Sequence, residues 1–143
     1  MAEPRPEFRV VVTGSTDFTG PAVVGKTLSA LLTRKMRTHA VVVLCGNDGP
    51  GKIAALWAAL NGLDHVDLPD PGPHDTDYVY RNAAILNDAN AFVAFRSVEG
   101  WPHFVEDLVL RAKGRGRQVQ VVGGIGNLPE FPFDAVENAT DYT

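Results

Sequence analysis

The part of this sequence best suited to binding chemistry is the segment 46–51, Gly-Asn-Asp-Gly-Pro-Gly, which follows a run of apolar residues at 40–44. Pro50 is typical of the first turn of a helix, and either Asn47 or Asp48 is expected to cap the amides beside it. A helix start carries unpaired N–H groups with partial positive charge, and the glycines let a ligand approach the backbone closely. The segment therefore predicts a site for phosphate or another anion, unless the glycines serve only the strand-to-helix turn itself.

A second glycine segment, Gly-Pro-Ala-Val-Val-Gly-Lys-Thr at 20–27, matches the phosphate-loop pattern of nucleotide hydrolases. A phosphate loop follows its strand directly, but here the six residues 14–19 intervene. Val24 also fits the apolar stripe of a helix, which places Gly25 and Lys26 inside that helix. We therefore expect helix here, and a P-loop nucleotide hydrolase is the least favoured function of those considered.

Two further groups of side chains are candidates for contact with the same ligand. Asp17 and Phe18 lie in the loop 14–18, where they would hydrogen-bond a ribose and cover a base, or serve only as a loop acid and a buried ring. Arg81 and Asn82 begin a predicted helix, where an arginine is usually a solvated surface charge. In a binding role, its planar guanidinium would grip a phosphate or carboxylate in two places.

The acidic residues after the fourth predicted strand are the candidates for acid catalysis. Glu99 and Glu106 lie near the turn into the next helix, although acids at the front of a helix are also expected from its dipole. Trp101 in the same turn is more typical of packing than of base stacking. Cys45 ends a strand and is expected to be a small buried residue, not a nucleophile. The four histidines show no metal-ligand spacing with Cys45, so we expect no metal and no cofactor.

The elements that must position these side chains alternate between strand and helix. The predicted strands are residues 8–13, 40–44, 65–68, 91–95 and 118–122, and the predicted helices are about 21–37, 50–61, 78–88 and 102–113. This alternation implies parallel pairing through right-handed crossovers, and hence an α/β, Rossmann-like, open doubly wound sheet of about five strands with helices on both faces. The apolar residues that we expect the second helix to bury are Ile53, Leu56, Trp57 and Leu60.

Length and composition are those of one globular domain. The 143 residues are 45% hydrophobic, and the formal charge of −4 gives no basic footprint that would favour nucleic acid. No apolar run approaches the ~20 residues of a membrane span, and residues 1–7 lack a signal-peptide core, so we expect a cytoplasmic protein. We expect an N-terminal extension at 1–7, a single domain at 8–122, and a tail at 123–143 that packs on the domain or on a partner.

Four segments together resemble the SLOG superfamily of Rossmann-like proteins, and within it the YspA-like, cpYpsA-related branch. They are 8–18, 42–57, 80–86 and 91–100, and the resemblance spans roughly residues 8–122. It implies binding of a nucleotide or a nucleotide-derived ligand. Distant relatives include the LOG-type phosphoribohydrolases, which cleave the base from a nucleoside monophosphate.

The chain departs from those enzymes in one loop. They carry Gly-Gly-x-Gly-Thr followed closely by a glutamate, whereas this chain has Ser-Val-Glu-Gly-Trp at 97–101 and then His103 and Phe104. Only one glycine remains, so there is less room for a phosphate, and the acid that would stabilise an oxocarbenium-like centre is missing unless Glu99 or Glu106 replaces it. We therefore expect a binding protein first and an N-glycosidic-bond hydrolase or transferase second.

The resemblance and the loop positions together define the expected site. The residues expected to contact the ligand are Gly14, Ser15, Thr16, Asp17, Phe18, Gly46, Asn47, Gly49, Gly51, Arg81, Asn82, Ser97, Gly100 and Trp101. Any catalysis is expected from Glu99 or Glu106. The partner is a small nucleotide-like molecule, with neither nucleic acid nor membrane involved, and analogy with related folds that pair through helices predicts a homodimer.

Overall fold

The computed structural model of the protein describes residues 5–18, 20–69, 77–97 and 100–123. Strands and helices alternate along these residues. Their bounds are β1 (Glu7–Gly14), α1 (Pro21–Leu32), α2 (Lys35–Thr38), β2 (Ala40–Cys45), α3 (Gly49–Leu60), β3 (Asp64–Asp67), α4 (Asp77–Asp88), β4 (Ala91–Arg96), α5 (His103–Gly114) and β5 (Gln118–Gly123). The predicted tail begins at Gly123, and the rest of it lies outside the described residues.

The strands form one five-stranded sheet in the order β3-β2-β1-β4-β5, and every neighbouring pair is parallel. Because parallel strands must be joined by crossovers, a helix lies between each strand and the next along the chain. The predicted open, Rossmann-like α/β fold is confirmed.

The central strands of the sheet, β2, β1 and β4, are buried on both faces. Side chains alternate along β1, so Val10 and Val12 join the apolar cluster that contains residues of α1 and α3, while Val11 joins the cluster that contains residues of α4 and α5. All three valines are fully buried. This explains why the strands read as continuous apolar runs instead of alternating ones.

The prediction for the buried face of α3 was wrong for two of its residues. Leu56 and Leu60 are 62% and 78% exposed, whereas Ala54 and Ala58 are fully buried. Ala54 and Ala58 belong to the same apolar cluster as valines of β1 and β2, so the small residues of α3 face the sheet and the larger side chains lie at the flank or outside.

The single helix predicted at 21–37 is two helices, α1 and α2. The backbone tightens between them, since the N–H of Arg37 donates to the carbonyl of Arg34, three residues earlier. Lys35 is buried in α2, with its ammonium 4.7 Å from the centre of the Phe8 ring. Gly25 and Lys26 lie inside α1, as predicted, so the sequence that matches a phosphate loop is helical.

No helix in the described ranges is long and apolar enough to cross a membrane.

Gly25 and Gly51 should respond in opposite ways to alanine. A Cβ at Gly25 would meet only the Trp57 ring, at 3.7 Å, so Gly25→Ala should stabilise the protein by about 0.5–1 kcal/mol through better helix propensity. The clash of a Cβ at Gly51 with the Gly46 carbonyl should make Gly51→Ala destabilising by about 3 kcal/mol. Urea unfolding of both variants measures this difference, and a destabilised Gly25→Ala would contradict the helical assignment.

Thr27 offers a second test of the same helix. Its hydroxyl is buried and, within the described part of the chain, has no hydrogen-bond partner. Replacing the hydroxyl by a methyl group removes a desolvated polar atom, so Thr27→Val should raise the free energy of unfolding by about 1 kcal/mol. Thr33→Val is the control, because the exposed Thr33 hydroxyl donates to the carbonyl of Ser29, and this variant should gain no stability. Equal effects in the two variants would contradict the interpretation.

Candidate functional site

The direction in which the chain adds strands to the sheet reverses between β1 and β4, so a topological switch point lies between these two strands. From β1 the chain adds β2 and β3 on one side, and β4 and β5 on the other. In open parallel sheets, ligands bind beyond the carboxyl ends of the strands near such a point. The loops after β1, β2 and β4 begin at this edge, so the predicted site loops share one edge of the sheet.

Asp48 joins two of these loops. Its Oδ1 accepts a hydrogen bond from the Gly51 N–H at 2.7 Å and so caps α3, which decides between the two predicted caps. Its Oδ2 accepts from the Thr13 hydroxyl at 2.7 Å and from the Gly14 N–H at 3.3 Å. The carboxylate is buried and ties the end of β1 to the turn between β2 and α3.

The glycines of these loops are explained by contacts within the protein. A Cβ at Gly49 would lie 2.2 Å from the carbonyl oxygen of Phe18, and a Cβ at Gly14 would lie 2.2 Å from that of Phe95. Gly51 packs in the same way against Gly46. The backbone thus approaches backbone at these positions, which is a structural reason for glycine that needs no ligand.

One cavity at this edge lies between the start of α3 and the end of β3, and we call it the β2–β3 cavity. Its volume is about 510 Å³, which lies in the range of small-molecule sites. Its lining residues are Gly46, Asn47, Gly51, Lys52, Ala55, Asp67, Leu68 and Pro69. Lys52 and Asp67 were missed by sequence reasoning. The signals that point to them are a cation in the first turn of a helix and an acid that ends a strand.

A second cavity lies at the switch point, and we call it the β1–β4 cavity. It has a volume of about 360 Å³ and is lined by Ser15, Thr16, Asp17, Ser97, Gly100, Trp101 and Pro102. Here the two loops bond each other: the Ser15 hydroxyl donates to the Gly100 carbonyl and accepts from the Ser97 N–H at 3.0 Å. Gly100 adopts φ +99°, a backbone angle that favours glycine.

The sequence predicted a single pocket at this edge, whereas the structure has two cavities there that share no lining residue. Three predicted ligand residues line the β2–β3 cavity, Gly46, Asn47 and Gly51. Six line the β1–β4 cavity, Ser15, Thr16, Asp17, Ser97, Gly100 and Trp101. The other five line neither of these two cavities: Gly14, Phe18, Gly49, Arg81 and Asn82.

Arg81 and Asn82 lie on α4 and have different surroundings. The Arg81 Nε donates to the carbonyl of Pro69 at 2.7 Å, which places the guanidinium beside a residue of the β2–β3 cavity. Asn82 is fully buried, and its Nδ2 donates to the Phe104 carbonyl at 2.8 Å and to the Asp107 carboxylate at 3.0 Å. Asn82 therefore joins α4 to α5.

Glu106 also has a partner within the protein, since its Oε2 accepts a hydrogen bond from the Trp101 indole N–H. The guanidinium of Arg96 lies 5.4 Å from the centre of the Trp101 ring. Glu99, the other candidate acid, lies outside the described residues.

Burial dominates the electrostatics at the end of β2. Desolvation raises the pKa of Asp48, opposed by its three hydrogen bonds and by the positive charge of Arg81. Desolvation, together with the charges of Asp67 and Asp48, raises the pKa of the Cys45 thiol to about 12. Cys45 therefore remains protonated at neutral pH, and as a buried thiol it is unsuited to be a nucleophile.

Across the described ranges, no group of three or more His, Cys, Asp or Glu side chains is arranged to hold a metal ion.

These features define a Rossmann-like α/β protein with two cavities at the carboxyl edge of its sheet. A family model described as "YspA, cpYpsA-related SLOG family" matches residues 8–70, from β1 through β3. In this region the chain is similar to that family, which confirms the predicted resemblance over these residues. No curated protein and no solved structure matches the chain. The matched residues include the whole lining of the β2–β3 cavity and only the β1 side of the β1–β4 cavity.

The raised pKa of Asp48 predicts how stability depends on pH. Asp48→Asn retains a cap acceptor and imitates the protonated acid, whereas Asp48→Ala loses the cap and should cost about 1–3 kcal/mol. The pKa of Asp48 is higher in the folded protein than its ordinary value of 3.8, so the fold favours the protonated acid. This contribution to the free energy of unfolding is fully present below pH 3.8, and it is lost as the pH rises through the folded pKa.

The measurement is the free energy of unfolding of the natural protein minus that of Asp48→Asn, followed by urea unfolding from pH 3 upward. This difference should decrease as pH rises through the window between the unfolded and folded pKa values and then level off. A difference that increases over the same window would show that the fold stabilises the ionised carboxylate instead.

Proposed function

We propose that the protein binds a nucleotide or a nucleotide-derived ligand, with the β2–β3 cavity as the main site. The observation that carries this proposal is a cavity of about 510 Å³, at the carboxyl edge of a parallel sheet, whose whole lining lies within the region matched by the SLOG family model. A nucleotide-related function is what similarity to this family suggests.

The charges around the cavity support an anionic ligand. The chain has a formal charge of −4, so an anion needs local cations to bind. Lys52 lines the cavity, and Arg81 is bonded to Pro69 at its rim. The first-turn amides of α3 add little to these cations, because the N–H of Gly51 donates to the Asp48 carboxylate and that of Lys52 to the Asp48 carbonyl.

The predicted residues of the β1–β4 cavity have a secondary role in this proposal. Ser15 and Ser97 bond the two loops to each other, so they shape the cavity wall. Thr16 and Asp17 are exposed and remain candidates for a second contact region at the switch point.

A binding role is better supported than catalysis. The Glu106 carboxylate is bonded to the indole of Trp101, and the glycine-rich loop of the LOG-type enzymes is reduced to Gly100. An N-glycosidic hydrolase or transferase remains the alternative function, and a measurement of products separates the two.

The test is a panel of nucleoside monophosphates, cyclic nucleotides and ADP-ribose, followed by thermal shift and calorimetry. Binding should raise the melting temperature in a saturable way, because a ligand held only by the native state stabilises it. Arg81→Ala should weaken anionic ligands by about 10- to 100-fold, the loss expected for a charge-assisted hydrogen bond, while the melting curve without ligand stays close to native.

Lys26→Ala is the matched control, because Lys26 is an exposed cation on α1 and should not affect affinity. Unchanged affinity in a natively melting Arg81→Ala would refute the role of that residue. Free base released from a bound nucleoside monophosphate, and abolished in Glu106→Gln, would replace the binding role by the glycosidase alternative.

A further inference from the structure

Two side chains of opposite charge line the β2–β3 cavity from different elements. Lys52 lies in the first turn of α3, and Asp67 is the last residue of β3. The strand register pairs Asp67 with Cys45, the residue directly before Gly46, so Asp67 is level with the start of the turn into α3. The influence of Asp67 on the Cys45 thiol agrees with this placement over the end of β2.

Among the described residues, the Asp67 carboxylate has no partner that would give it a structural role. Within the part of the chain that the structure describes, neither Asp67 nor Lys52 takes part in an ion pair or a side-chain hydrogen bond, and both side chains are exposed. Asp48 differs, because its carboxylate accepts three hydrogen bonds from the protein. The acceptor oxygens of Asp67 are therefore available at the cavity wall.

The charges orient a ligand in this cavity. An ionised carboxylate only accepts hydrogen bonds and repels phosphate, so the phosphate of a nucleotide has to lie toward Lys52. The part that faces Asp67 must then be neutral and must donate hydrogen bonds. In a ribonucleotide the pair of adjacent ribose hydroxyls meets this requirement for every base, since two neighbouring O–H donors match the two oxygens of one carboxylate.

We propose that Asp67 is the specificity-determining residue of the β2–β3 cavity: it accepts hydrogen bonds from the 2′ and 3′ hydroxyls of a ribose. These hydrogen bonds select ribonucleotides over 2′-deoxyribonucleotides. The charge of the carboxylate also selects against ligands that carry a phosphate on the 2′ oxygen. This inference rests on the proposed nucleotide-binding function and adds the sugar chemistry of the ligand.

Asp64 provides a matched control. It is the first residue of the same strand, it is exposed like Asp67, and it lines a different cavity at the amino ends of the strands, together with Glu7 and Arg9. Asp64→Asn and Asp67→Asn make the same change in charge on the same edge strand. Any difference between the two variants therefore reports on the cavity that each residue lines.

The experiment measures calorimetric affinities for adenosine, guanosine, cytidine and uridine 5′-monophosphates, for their 2′-deoxy counterparts and for adenosine 2′,5′-bisphosphate. The natural protein should prefer the ribonucleotide that binds best over its 2′-deoxy counterpart by about 10-fold or more, as expected for hydrogen bonds to a charged group. Asp67→Asn should reduce this preference to about 3-fold or less and should improve binding of the bisphosphate relative to the natural protein, since the repulsion is removed. Asp64→Asn should keep the natural preference for the ribonucleotide. Lys52→Ala should lower the affinity for every nucleotide tested and should also keep this preference.

The outcomes distinguish this inference from the function on which it rests. Saturable binding with equal affinity for ribonucleotides and 2′-deoxyribonucleotides, or a preference that survives in Asp67→Asn, overturns the role of Asp67 and leaves the proposed function standing. The absence of saturable binding by every nucleotide tested overturns both. A loss of preference in Asp64→Asn as large as that in Asp67→Asn also contradicts the inference, because it would assign the effect to the charge of the strand.

Discussion

The arrangement of the carboxyl edge depends on one buried carboxylate. Asp48 caps α3 and at the same time accepts hydrogen bonds from Thr13 and Gly14 at the end of β1. The start of α3 and the end of β1 are therefore fixed by one side chain. Burial raises its pKa, so the link carries a desolvation cost. The position of Lys52 and the shape of the β2–β3 cavity both follow from the helix start that Asp48 holds.

The glycines around Asp48 show how tightly these elements are packed. Gly49 and Gly51 lie where a Cβ would collide with carbonyl oxygens of Phe18 and Gly46. This packing brings the loop after β1 against the turn after β2, so each of these glycines is required by a contact within the protein.

Sequence reasoning predicted the fold because the fold depends on periodicity and on the alternation of strand and helix, which are visible along the chain. It also identified the helical nature of Gly25 and the burial of Cys45. It failed for Leu56 and Leu60, because the face of α3 that meets the sheet has the small residues Ala54 and Ala58, and a pattern of large apolar residues does not reveal it. Lys52 and Asp67 were missed for a related reason: they meet at one cavity only through the register of β3 with β2.

The edge strand β3 has a consequence for self-association. All four of its residues are exposed, and an acid stands at each end, Asp64 and Asp67. If two copies of the protein joined these edges in antiparallel fashion with full overlap, each Asp64 would face an Asp67 of the other copy, and like charges directly opposite destabilise a strand pair. The charges at the two ends of β3 therefore disfavour this pairing of two sheets along their β3 edges.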